Sequence, residues 1–151
     1  MHRKFLPLAL MYVDDQEPVE GRTRLQKMVF LLQKELEKRD ELTTTGVKYE
    51  FVPYDYGPFS KDLYDDLDRM IEQRFVEDTE ERLASGKVKY VYEIDAGGED
   101  LVESQSKELA EAADIVDLAR EIKNQYNDVL LSELIEYVYS EYPDYAERSV
   151  F

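Results

Sequence analysis

The chain contains no cysteine and a single histidine, His2. Without thiols, structural disulfides, thiolate zinc sites, iron–sulfur clusters and cysteine nucleophiles are excluded. The lack of disulfides fits a reducing compartment, and a cytoplasmic location is expected. His2 sits at a terminus, where chains order poorly, so a Ser–His–Asp triad has no base to draw on. No apolar run approaches the roughly 20 residues of a membrane span. Arg3-Lys4 ahead of apolar residues 5–13 outlines a signal segment. However, Pro7 interrupts the run and Asp14-Asp15 follow without a small-residue cleavage site, so a first helix is expected instead. Glycine-rich phosphate loops are missing too, since Gly97-Gly98 stands alone. Ser104 and Lys107 match a Ser-x-x-Lys pattern without any companion motif. Asp65, Asp66 and Asp68 share no single helical face and lie in no calcium-loop pattern. No metal, cofactor or catalytic residue is expected, and the chain reads as non-enzymatic.

What remains is acidic, patterned and large enough to fold. The 151 residues suit one domain with a core that needs no disulfide or metal support. Acids outnumber bases 35 to 19, for a net charge of −16. The excess is lopsided: residues 1–75 carry net −3 and residues 76–151 net −13. Such acidity disfavours generic attraction to polyanions.

The apolar spacing predicts the elements. Residues 5–12 read as a short helix and 14–21 as a loop. Thr23 is expected to cap a buried central helix over 24–40, with Leu25, Met28, Val29, Leu32 and Leu36 on its stripe. Thr43-Thr44-Thr45-Gly46 reads as a turn. Residues 48–54 read as a short strand that Gly57-Pro58 ends. A helix from Pro58 or Ser60 to about Gln73 follows, with Leu63, Leu67, Met70 and Ile71 facing inward. Residues 75–80 and 87–95 form a hairpin, turned at Ala84-Ser85-Gly86. Helices are expected at 98–107, 108–125 and 129–142, with Pro143 as the stop. Helix, helix, strand, helix and hairpin is the order of a winged helix. The expected fold is α+β and winged-helix-like: one domain over 1–151, with a core and two-stranded wing in 1–95 and a helical layer in 96–151.

Two groups of residues stand out. Tyr54, Tyr56, Gly57, Pro58, Phe59 and Ser60 make a rigid aromatic corner. Turn chemistry explains each residue type there, while exposed tyrosines would suit an interface. The second group is basic: Arg22, Arg24, Lys27, Lys34 and Lys38 on the central helix, and Arg82, Lys87 and Lys89 near the hairpin tip. Lys27, Lys34 and Lys38 share the side opposite the leucine stripe. They would hold a phosphate backbone or an acidic protein, or simply solvate a buried helix. The helix over 60–74 is net −2, with Asp65, Asp68 and Glu72 outward, and it opposes insertion into a DNA groove.

The run from Arg24 to Leu31, the stretch from Phe51 to Ser60 with Leu63 and Asp66-Leu67 after it, and Tyr137-Val138-Tyr139 with Tyr142-Pro143 resemble the winged-helix-like proteins related to the Panacea (SocA-type) antitoxin domain. The resemblance covers residues 5–95 best. It implies an antitoxin or adaptor that holds a partner protein, and no catalytic residues. Related winged-helix proteins are presumed to bind DNA. The expected function is therefore a regulatory protein-interaction module. Its partner would be basic or toxin-like, and Phe151 and the tyrosines of 137–145 would serve as apolar anchors. The alternative is a DNA-binding transcriptional regulator using the 22–39 patch and the hairpin tip. A paired wing or tyrosine patch offers a route to a homodimer without deciding for one.

Overall fold

The computed structural model describes residues 1–39 and 48–151, so the turn expected at 43–46 lies outside the described residues. The chain is α+β. Its helices are α1 (Phe5–Gln16), α2 (Arg22–Lys38), α3 (Lys61–Glu72), α4 (Ala96–Glu108), α5 (Ala110–Tyr126) and α6 (Leu131–Glu141). The strands are β1 (Val19–Glu20), β2 (Val52–Tyr54), β3 (Gly57–Phe59), β4 (Val76–Arg82) and β5 (Val88–Ile94). A short 3-10 turn over Pro143–Ala146 follows α6.

The central helix forms where the leucine stripe requires it. Leu25, Met28, Val29, Leu32 and Leu36 are all buried, and so are Phe30 and Leu31. Thr23 is not its cap; α2 begins two residues after Glu20, with Gly21 at the N-cap position and no capping side chain. Helix α1 keeps right-handed geometry only to Tyr12, because Asp14 and Asp15 turn left-handed (φ 61° and 56°). Burial along α5 at Ile115, Leu118, Ala119 and Ile122 continues the same cluster that holds Phe5, Leu8 and Met28. The C-terminal helices thus complete the core instead of lying over it.

Two antiparallel sheets flank these helices. β1, β5 and β4 form one in that order, with Val19 opposite Tyr92 and Val76 opposite Ile94. Along β5 one alternating face splits: Tyr92 and Ile94 are buried, while Val88 and Tyr90 are exposed. The outer half of the hairpin therefore stands off the body. β2 and β3 form the other sheet, where Pro53 faces Pro58 and Tyr54 faces Gly57. This corrects the expectation that Gly57-Pro58 ends a strand: the pair starts the return strand. Neither proline has an N–H, so they suit a pair that exchanges no ladder bonds. Ser60 caps α3 as expected, its Oγ accepting from the Leu63 N–H at 3.2 Å. Among the described residues, no helix is long and apolar enough to cross a membrane.

Candidate functional site

The aromatic corner is a two-residue hairpin turn, Asp55-Tyr56, between β2 and β3. Gly57 sits just after it at φ +107°, a conformation L side chains rarely adopt. Helix α2 anchors the corner from below. The Gln26 side-chain amide donates to the Ser60 carbonyl and accepts from the Ser60 N–H, both at 2.9 Å. Two turns on, Gln33 does the same to Tyr49, both at 2.7 Å. These glutamines satisfy buried backbone as a neighbouring strand would. Sequence reasoning missed them; the available signal was two amides spaced by seven on a stretch that is apolar apart from Lys27.

A second buried anchor lies under the N-terminus of the chain. Asp66 accepts from Arg3 Nε (2.9 Å), Tyr49 Oη (2.8 Å) and Arg69 (2.8 Å). Burial pushes its carboxyl up, but the bonds from Arg3 and Tyr49 outweigh that and hold its pKa below the usual 3.8. Asp66 does not join Asp65 and Asp68 at a metal; among the described residues no cluster of three or more histidines, cysteines or acids converges. His2 accepts from the Lys4 N–H at 3.0 Å.

Above the corner lies a cavity of about 200 Å³. Tyr54, Tyr56 and Tyr64 are 50%, 46% and 41% exposed, and with the half-buried Phe59 they give it aromatic walls. Ring centroids run 5.0 Å from Tyr54 to Phe59 and 6.1 Å from Phe59 to Tyr64. Gly57 and Pro58 are buried behind them. The first turns of α2 close the other side with Arg22, Thr23, Gln26 and Lys27.

The basic residues do not assemble as one surface. Arg22 donates to Tyr92 Oη (2.9 Å) and Asp68 (2.7 Å) and stacks on the Tyr64 ring at 4.3 Å. Arg24 is buried and donates to the Tyr126 carbonyl at 2.7 Å, at the last residue of α5. Lys34 and Lys38 pair with Glu37 and Glu35 on their own helix and lie near the Tyr142 ring. Lys89 pairs with Glu20 and Glu81. Arg82 and Lys87 stay exposed at the hairpin tip. Lys27 departs most from expectation. It is 2% exposed, covered by the corner, where its Nζ lies 3.8 Å from the point a Gly57 side chain would occupy. Burial pulls its pKa down from 10.5 to about 8.

The expected C-terminal anchors are also partly used. Tyr142 and Tyr145 pack edge-on against Phe30 at 5.1 and 4.8 Å. Tyr137 and Phe151 remain 40% and 55% exposed. The tail crosses the corner, with the Val150 N–H donating to the Asp55 carbonyl at 2.9 Å.

The comparisons agree with this arrangement at the level of family. The model described as "Antitoxin SocA-like, Panacea domain" matches residues 25–143. The match starts in α2, inside the 5–95 span that resembled the family most and without residues 5–24, takes in the corner and continues past that span to end after α6. No curated protein matches the chain. With most of its length matched, the chain belongs to the SocA-like Panacea antitoxin family.

Proposed function

We propose that this SocA-like Panacea protein is a non-enzymatic, antitoxin-like regulator that acts by holding a partner protein at the aromatic corner. One observation carries the reading: three partly exposed tyrosines ring a cavity on a turn that Gln26 clamps to the central helix. Aromatic side chains fixed in advance lose little entropy on docking and serve as interface anchors. A toxin-like protein is the partner that the family suggests, and the net −13 of residues 76–151 would steer a basic one. We read residues 1–151 as one cytoplasmic domain, because helices from both ends share the core cluster. We also read it as a winged helix. The order α1-β1-α2-α3-β4-β5, with the β2–β3 corner inserted between α2 and α3 and β1 paired to β5, supports that, and β4–β5 would be the wing.

DNA binding has less support. Asp62, Asp68 and Glu72 are exposed on α3, and most cations of the expected patch are engaged within the chain or buried. The test is co-expression with the toxin-like protein encoded nearest to this chain's gene. Rescue of growth and a purified complex are expected, with both lost in the triple variant Tyr54→Ala, Tyr56→Ala, Tyr64→Ala. Full rescue by that variant, folded as judged by circular dichroism, would refute the corner as the contact.

A further inference from the structure

Buried ammonium groups in proteins come paired, because an uncompensated charge away from water is costly. Lys123 obeys this rule: at 1% exposure it donates to the carbonyls of Val13 (2.9 Å) and Met11 (3.5 Å). Lys27 is equally buried, yet no acceptor or counter-ion engages it among the described residues, and burial is the sole cause of its lowered pKa. It also lines the corner cavity. The same wall is the first turn of a 17-residue helix whose N-cap, Gly21, supplies no side-chain acceptor. The positive end of that helix and the Lys27 ammonium therefore act on one small space.

We infer that the corner cavity binds a single carboxylate presented by the partner protein, with Lys27 as its counter-ion and the rings of Tyr54, Tyr56 and Tyr64 packing on the group that carries it. This rests on the docking reading above and names what the partner brings. The charge count favours a carboxylate over a phosphate dianion. Among the described residues lining the cavity, Lys27 is the cation without a partner, while Arg22 is already held by Asp68 and Tyr92. The apolar walls suit a group whose stem is aliphatic or aromatic. Other titratable groups face Lys27 from each side. These are Arg22 on its own helix, Tyr54, Asp55 and Tyr56 on the hairpin, Tyr64 on α3, and Tyr139 on α6, whose ring lies against Gly57. Asp55 is exposed at the mouth and forms no ion pair with Lys27, so it weakens the site without filling it. The rest of the acidic surface is screened over about 8 Å at physiological ionic strength.

Titration of lysine-labelled protein, followed by NMR at the Lys27 side chain, tests this directly. The probes are phenylacetate, an amidated tripeptide with a central glutamate between phenylalanines, and an acetylated tripeptide of phenylalanine and alanine with a free chain end. Phenylacetamide is the uncharged control. At least one carboxylate probe is expected to move the Lys27 signals and raise the pKa of its ammonium by a pH unit or more. By linkage, probe affinity then falls about tenfold once the pH passes that raised value. The two peptides separate a side-chain carboxylate from a chain end, and Lys27→Met should abolish the response. Lys27 signals unmoved by every carboxylate at tens of millimolar, or moved equally by phenylacetamide, would overturn the inference. Growth rescue that still depends on the three tyrosines would leave the docking reading intact in that event. Conversely, a response to carboxylate without tyrosine-dependent rescue would sink the docking reading alone.

Discussion

Replacing Lys27 with methionine should make this protein more stable. Methionine matches the length of the lysine stem, has similar helix propensity and removes the charge from a site that is 2% exposed. The fall in the Lys27 pKa from 10.5 to about 8 corresponds to about 3 kcal/mol of penalty on the protonated form. A gain of about 1–3 kcal/mol is therefore expected near pH 7, since part of the lysine's packing is also lost. The sign follows from proton binding. Between pH 8 and 10.5 the unfolded chain holds the Lys27 proton and the folded chain does not, so wild-type stability rises across that window. The advantage of Lys27→Met should be complete below pH 8 and shrink towards pH 10.5. Urea unfolding of both proteins at pH 7 and pH 10 measures it, and the other titrating groups cancel in the difference. Lys123→Met is the companion experiment. It removes the donor that Lys123 supplies to the carbonyls of Met11 and Val13, so the same relief is offset and no stabilisation is expected. A Lys27→Met protein that is less stable than wild type, or stabilised equally at both pH values, would refute the argument that Lys27 is an uncompensated charge kept for binding.

Asp66→Asn should cost about 1–3 kcal/mol, because it weakens the charged bonds Asp66 accepts from Arg3, Tyr49 and Arg69 while leaving the two cations partly in water. The stability that Asp66 supplies is complete above 3.8 and disappears as pH falls through its lower folded value, so acid titrations of wild type and variant should converge. Gly98→Ala should destabilise by about 2–3 kcal/mol despite better helix propensity. A Cβ there would collide with the Phe75 carbonyl oxygen and sit 2.9 Å from Ile94 Cγ1, and thermal unfolding reads the outcome. Gln26→Ala leaves the buried Ser60 N–H unpaired, while the Ser60 carbonyl keeps the Tyr64 N–H, for a loss of about 1–3 kcal/mol. Hydrogen exchange should show the fastest new opening at residues 57–60.

Sequence patterns carry local geometry well in this chain. The leucine stripe of α2, the Ser60 cap and the two hairpin strands β4 and β5 lie close to where periodicity and turn residues put them. In the sequence the β2–β3 corner reads as a strand stop, because Gly57-Pro58 punctuates both a stop and a tight return. Only a pairing partner tells these apart, and Tyr54 opposite Gly57 is that partner. The basic face of α2 fails in a similar way. Lys27, Lys34 and Lys38 share a side, and that side is not covered uniformly. Lys34 and Lys38 keep glutamate partners at the surface, while the corner lies over Lys27.

The order of residues by itself determined the apolar stripe of α2, the Ser60 cap, the β4–β5 hairpin and the absence of thiols. These depend on neighbours a few positions apart. Tertiary structure alone decided that Lys27 and Asp66 are buried, that Gln26 and Gln33 stand in for strand partners, and that three tyrosines surround one cavity. Burial of a charge is a property of what lies on top of it, and here the covering backbone comes from a hairpin some thirty residues along the chain.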